Sequence, residues 1–275
     1  MTLQRVWTRG AIYFVLVAFA AWYLMPIYLM LITGLKTYEQ VGITKMWALP
    51  YPVSLDGFSQ AWVKVSANFG NSIMITVPAA IISAFIGSIN GYIFAKWKFR
   101  GSNTIFMLFL VGMFLPYQGI LIPLVQTLMA LGLYGSIVGV IFVHCVFGIP
   151  ITALMFRSYF AGIPNELVDA AKIDGCGFFG IYRHILLPIA FPAFAVVLIW
   201  QFTTIWNDYL IGLIVVSNPR LAPVNVAVKN LAGTYTTQWQ VQMSGALIAA
   251  LPTIIVYLAL GKFFMRGLLA GSLKG

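Results

Sequence analysis

Charge is what this sequence has least of: sixteen basic and six acidic side chains make up 8% of 275 residues, against 61% hydrophobic. A soluble domain carries about a quarter charged residues, so this composition excludes a water-soluble globule. Six carboxylates and two histidines are too few and too scattered for a catalytic or metal cluster, and no His, Asp and Ser set stands at catalytic spacing within any apolar run. Only two cysteines occur. Cys145 lies in an apolar run and Cys176 in a polar stretch, which excludes a disulfide framework and metal-ligand spacing. The chain has no G-x4-G-K-[ST] phosphate loop, so ATP hydrolysis is not its own chemistry. It has no repeat of fixed period. No basic stripe interleaved with aromatics sits on a soluble face, so the net charge of +10 does not imply nucleic-acid binding.

What the sequence does have is long runs free of Asp, Glu, Lys and Arg: Ala11 to Leu35, Val65 to Ala95, Gly101 to Phe156, Ile185 to Asn207 and Asn230 to Gly261. About 20 apolar residues cross a bilayer as a helix. The third run is long enough for two crossings, with a turn marked by Gly132 and Gly135 after a broken stretch containing Pro116, Gly119 and Pro123. The expectation is an all-α membrane protein of six transmembrane helices, near 11–33, 70–95, 103–122, 135–157, 189–211 and 243–265. Residues 1–68 would form the first helix and an outer loop, and 69–275 a five-helix core.

With both termini inside, the cytoplasmic side holds Arg5, Arg9, Lys96, Lys98, Arg100, Arg157, Lys172, Arg183, Lys262, Arg266 and Lys274, which is 11 of 16 basic residues. Lys36, Lys45, Lys64, Arg220 and Lys229 fall in two long outer loops. Basic residues concentrated in short inner loops set this orientation, and Lys96, Trp97, Lys98 and Arg100 read as an interfacial anchor. The apolar run after Arg5 and Arg9 continues to Ile32, too long for a cleaved signal, so it reads as an uncleaved first span. Pro50 and Pro52 forbid a long helix in the loop over 34–69, and the stretch near 216–242 suits a short helix plus turn. Pro78, Pro150, Pro192 and Pro252 kink their spans.

One polar stretch, Asn165 to Pro188, interrupts the apolar runs. Pro164 suits a helix start, Glu166 and Asp169 put negative charge at the positive helix end, and Gly175 can adopt the left-handed conformation that stops a helix. A second helix from Gly177 to Leu187 carries Arg183 and His184 near its negative end, before Pro188 opens the fifth span. The two helices form a hook in which Leu167, Ala170, Ala171 and Asp174 share a face and Phe178, Phe179, Tyr182, Ile185 and Leu186 add a large apolar surface. Two readings of that surface stay open: it docks a partner, or it packs on the hook's own first helix and the membrane surface.

Asp169-Ala170-Ala171, Gly175, Ile185, Leu187 and Pro188 resemble the EAA loop of ABC importer permeases, E-A-A-x3-G-x9-I-x-L-P, at six of seven marked positions. Asp169 stands where Glu is usual, keeping the charge on a shorter arm. IPNELVDAAKIDG, NSIMIT, IWNDYL and FFMRGLLAGSLKG resemble the maltose-type carbohydrate branch. WQFTTIWNDYLIG, INGYIFAKWKFRGS and ALIAALPTIIVYLALGKFFMRGL are similar in particular to glucose/mannose-type permeases.

The resemblance implies the type I ABC importer permease fold in a bacterial or archaeal inner membrane. It implies a half-channel that pairs with a second permease, rests on two ATPase subunits and is fed by an extracytoplasmic sugar-binding protein. No cofactor would bind this chain, since ATP-Mg would sit on the ATPases. The hook, over about 158–188, would be the cytoplasmic coupling-helix loop. Ala170, Ala171 and Gly175 would permit close approach, Glu166, Asp169 and Asp174 would offer charged or capping contacts, and Ile185, Leu187 and Pro188 would fix the hook to the fifth span. The tail from Leu268 would reach the ATPase interface or fray. A permease for a polyol or an oligosaccharide would carry the same hook. A self-contained secondary transporter would need ionisable groups inside the bundle, and these spans lack them.

A sugar path needs amides, hydroxyls and aromatic faces. Gln201 falls in the outer half of the fifth span, and Asp208 lies roughly 30 Å from Pro188, near the outer surface. Trp206, Asn207 and Asp208 either gate sugar or form an interfacial anchor with a helix cap, and Gln118 is a further candidate. His144, without a carboxylate at helical spacing, reads as a neutral packed histidine.

Overall fold

The computed structural model describes residues 2–97, 99–114, 116–233 and 237–272, with side chains between Trp7 and Gly261. The expectations for Arg5, Lys98, Lys262, Arg266, Lys274 and the tail from Leu268 to Gly275 fall outside the described side chains. All regular structure among the described residues is helical. The helices are α1 (Thr2–Gly34), α2 (Asp56–Lys96), α3 (Ser102–Phe114), α4 (Leu121–Ala130), α5 (Ile137–Ala161), α6 (Asn165–Ile173), α7 (Phe178–Ile189), α8 (Phe191–Asn207), α9 (Leu210–Val215), α10 (Val224–Asn230) and α11 (Trp239–Ser272). Four are long and apolar enough to cross a membrane, or up to six if α3 with the following turn and α4, and α7 with α8, each count as one bent span.

The spans differ from their sequence reading for identifiable reasons. α2 starts at Asp56 instead of about 70, because nothing between Asp56 and Lys96 except Pro78 stops a helix. Ser54 Oγ accepts the Asp56 N–H at 3.1 Å, and the Asp56 carboxylate sits at the positive end. The loop expected over 34–69 therefore closes by residue 55. α3 ends at Phe114, short of Pro116, which has no N–H to give. A 3-10 turn over Tyr117–Ile120 then leads into α4.

The helix expected to open at Pro188 begins at Phe191. Pro188 closes α7, and α8 leaves it at 77°. Pro188 and Pro192 each withhold a backbone donor around the corner, while Ala190 N–H still bonds Leu186 O at 2.8 Å and Phe194 N–H bonds Ala190 O at 2.9 Å. α8 ends at Asn207, and the short α9 follows. α10 supplies the short helix expected in the stretch near 216–242.

The chain divides into two compact units, Met1–Ser66 with Ala227–Ala250, and Ala67–Val226 with Leu251–Gly275. In the first, α1 is almost wholly exposed, with only 6% of its apolar window buried, so lipid or a partner must cover it. Lys36 is buried there, its ammonium donating to Lys45 O at 2.8 Å and Met46 O at 3.1 Å. Burial holds that ammonium below its ordinary pKa.

In the second unit, α2, α5 and α8 approach closely through small residues, as membrane helices must when no water-driven force pulls them together. Ser83 and Thr152 are fully buried. Thr152 Oγ1 donates to Ser83 O at 3.0 Å, and Gln201 Nε2 to Ser83 Oγ at 2.7 Å. Two apolar clusters flank this polar clasp, one around Phe156, Phe160, Ile181 and Phe194 near the hook, the other around Leu128, Val140, Val143 and Ile205.

Candidate functional site

The hook is built by local rules. Glu166 stands in the first turn of α6 and Lys172 in its last, each complementing the helix dipole. At its end Gly175 N–H bonds Lys172 O at 3.0 Å and Cys176 N–H bonds Ala171 O at 2.9 Å. This paired closure needs a left-handed residue, and Gly175 has φ +81°. α7 contains a π turn over Tyr182–Leu186 in which Leu187 N–H bonds Tyr182 O. The widened turn lets Ile181, Tyr182 and Leu186 all face the core.

The expected face of α6 divides in two. Val168 and Ala171, one turn apart, are buried, whereas Leu167, Ala170 and Asp174 are exposed. Glu166 and Asp169 are exposed as well. Asp169 pairs with Lys172 at 2.9 Å, a solvated pair worth little. Ile173 is 87% exposed, Phe179 72% and Leu167 45%. The hook's aromatic surface is thus split as well, with Phe179 outward while Phe178 and Tyr182 pack inward. Ile185 and Leu187 are half-buried against the inner cluster, and Pro188 is exposed.

The inner attachment is to α2, which the sequence reading gave only an anchoring role. Tyr92 is fully buried and stacks on Phe178, with ring centroids 4.8 Å apart, and on Tyr182 at 5.8 Å. Trp97 meets Phe178 at 5.3 Å. Ser88 Oγ and Tyr182 Oη share a buried hydrogen bond. Lys96 Nζ donates to Ile163 O and, at 2.7 Å, to Asn165 Oδ1, tying down the start of α6. Ser88, Tyr92 and Lys96 recur every four residues, so one stripe of α2 carries the hook. That spacing was the available signal in the sequence.

The residues expected along a solute path separate. Gln201 and Asp208 come together beside a cavity of about 220 Å³ in the second unit, also lined by Tyr117, His144, Trp200 and Thr204. Asp208 Oδ1 accepts the Ile211 N–H at 2.8 Å and so caps α9. Trp206 is 1% exposed and stacks on Phe202 at 5.6 Å, a core residue away from the cavity. Asn207 is exposed, its amide donating to Thr203 O at 2.9 Å. Gln118 is exposed and does not line the cavity; its neighbour Tyr117 does. Among the described residues no three His, Cys, Asp or Glu side chains gather to hold a metal.

The model of the family "Binding-protein-dependent transport system inner membrane component" matches residues 85–269, which contain the hook and the cavity. A Pyrococcus horikoshii protein named "probable ABC transporter permease protein" is 44% identical, covering 98% of each chain. The xylose/arabinose import permease protein XacI of Haloferax volcanii is 35% identical over 94% of this chain and 92% of its own. The glucose import system permease protein GlcU of Saccharolobus solfataricus is 31% identical over 92% and 91%. Among solved structures, a bacterial ABC transporter that imports the acidic polysaccharide alginate matches with a TM-score of 0.79 at 20% identity, over 96% of this chain and 98% of its own. That last likeness concerns the fold, and the curated relatives concern descent. The chain belongs to the family of binding-protein-dependent transport system inner membrane components, the permeases of ABC transporters.

Proposed function

We propose that this chain is one of two permease subunits of an ATP-driven sugar importer, forming half of the translocation path with six spans and both termini in the cytoplasm. A second permease supplies the other half, two ATPase subunits bind and hydrolyse ATP-Mg, and an extracytoplasmic binding protein delivers the sugar. The named relatives that import pentoses and glucose support the sugar class, and a glucose- or mannose-like monosaccharide is the substrate we favour. The observation that carries the coupling role is the hook's outward face. Leu167, Ile173 and Phe179 are each exposed on the hook, as are Glu166, Asp169 and Asp174, while Tyr182 and Phe178 are fastened to α2. Large apolar side chains left exposed among charged ones on an otherwise fixed element suit a docking surface. Closure of the ATPases would reach the spans as a rigid-body displacement of the hook.

The test is a detergent pull-down of the tagged chain from its native membranes, with Asp174→Arg and Gly175→Trp beside the wild type. Gly175 has open space around it, so tryptophan there strains the backbone of the reversal and crowds the docking face without touching the core. The ATPase is expected with the wild type and lost from both variants, while the second permease stays. ATPase retained by Gly175→Trp would refute docking through the hook. Uptake of glucose, mannose, xylose and arabinose by the assembled importer then identifies the sugar.

A further inference from the structure

A cavity of about 480 Å³ lies where α2 and α5 end and α3 begins, beside the start of the hook. Phe94 on α2, Phe99 in the link, Ser102 and Asn103 in the first turn of α3, and Arg157 and Ser158 near the end of α5 line it. All three helices are candidate spans or part of one, so the cavity lies at the level of a membrane–water boundary. Its charge is one-sided. From residue 57 to residue 165 the sequence contains no Asp or Glu, while Lys96 and Arg100 directly follow the lining residues Ala95 and Phe99. The half-buried Arg157 guanidinium lies 3.9 Å from the centre of the Phe106 ring. The only ion pair among the described residues joins Asp169 to Lys172, so no carboxylate among them matches Arg157. A guanidinium has five N–H donors, and its contact with a ring face uses its charge and none of them.

An arginine fork matches the oxygens of a phosphate, and the start of α3 brings the positive end of a helix dipole to the same place. Around that charge the lining is amphipathic, with Ser102, Asn103 and Ser158 polar and Phe94 and Phe99 apolar. A free inorganic phosphate gains nothing from phenyl rings, and a neutral solute gains nothing from an unmatched cation. A phosphate that carries apolar chains uses both. We propose that this cavity is a site for the phosphate headgroup of an anionic membrane lipid, with Arg157 on the phosphate, Ser102, Asn103 and Ser158 bonding the headgroup, and the chains passing over Phe94 and Phe99 into the bilayer. Basic cavities between spans at a membrane boundary recognise lipid headgroups by this chemistry. With no carboxylate in the lining to receive the ammonium of a zwitterionic headgroup, the site selects a lipid of net negative charge. It depends on residence in the membrane and not on which solute is imported.

The experiment uses the complete chain with its native partner subunits, purified in mild detergent and stripped of lipid. Phosphatidylglycerol and phosphatidylcholine with the same chains are titrated in, and the bound lipid is read by native mass spectrometry. The wild type should bind phosphatidylglycerol about tenfold more tightly than phosphatidylcholine, the effect of one charge-assisted contact. Asn103→Asp puts a carboxylate at an exposed lining position, where it favours the helix start and so keeps the fold while repelling phosphate. It should abolish the preference, as should Arg157→Gln. Lys64→Gln removes the same unit of charge outside the cavity and should leave the preference as in the wild type. Excess inorganic phosphate should not displace the lipid. Equal binding of the two lipids by the wild type, a preference undiminished by Asn103→Asp, or one diminished as much by Lys64→Gln would overturn the site. Displacement by inorganic phosphate would overturn the lipid as its occupant and leave a site for a free anion.

Discussion

Gly91→Val should strip the folded protein from the membrane, while Gly70→Val, on the same helix, should leave its yield unchanged. A Cβ built on Gly91 would stand 2.6 Å from Phe156 Cβ, 2.7 Å from Arg157 N and 2.9 Å from the Phe156 carbonyl carbon. Two of those three atoms belong to the backbone of α5, which cannot rotate aside as a side-chain tip can. Overpacking costs about 1–3 kcal/mol when side chains yield, and here the α2–α5 separation itself must grow. Parting those helices strains the Thr152 to Ser83 bond one to two turns away and opens the cluster around Phe156 and Phe160. Gly70 has nothing within 4 Å of the same construction, so valine there meets only helix propensity, which favours it slightly over glycine. Size-exclusion yield in mild detergent and the midpoint of thermal unfolding are the readouts. Equal behaviour of the two variants would show that α2 and α5 do not meet as closely as the structure has them.

The pair also marks what could be read in the sequence. Charge-free runs located the long apolar helices that are candidate spans, because the cost of burying charge in lipid leaves a one-dimensional trace. The hook was legible to the residue at Gly175, since its left-handed φ of +81° is dictated by neighbours two to four positions away. Helix partners were not legible. Gly87, Gly91 and Gly148 look like any membrane glycines until α2, α5 and α8 are side by side. Gln201 was placed on a solute path as an amide in an apolar span, but the Ser83 hydroxyl that engages it at 2.7 Å lies far off in sequence. Tyr117 and His144 were passed over or read as packing for the same reason: a cavity exists only where several helices leave space. Pro188 shows the opposite failure. Its local signal was a helix start, yet the corner forms only past it, where Pro192 withholds a second donor.

Tyr92→Ala should leave the importer assembled while cutting sugar uptake at least about tenfold, a factor that 1.4 kcal/mol of lost coupling produces. Tyr92 is fully buried between Phe178, Tyr182 and Phe160, with centroids at 4.8, 5.8 and 6.4 Å. Removing such a ring costs about 3–5 kcal/mol, and the loss falls on one joint, because Ser83, Thr152 and Gln201 hold α2, α5 and α8 together elsewhere. Leu167, Ile173 and Phe179, the side chains proposed to dock the ATPase, are exposed and outside that stack, so ATPase capture should persist. Under the proposed coupling role, what is lost is the stiff attachment of the hook to α2. With α7 and α8 bent by 77°, the α2 stripe of Ser88, Tyr92 and Lys96 is the route by which the proposed coupling would reach the spans. Binding-protein-stimulated ATP hydrolysis and uptake, measured on the same proteoliposomes, should therefore part company, with hydrolysis falling less than transport. Tyr92→Phe keeps the stack and gives up the contacts of the hydroxyl, among them a 3.3 Å bond to Phe178 O, so it should restore uptake to near the wild-type rate. Wild-type transport by Tyr92→Ala would rule out this route and return the coupling to α8.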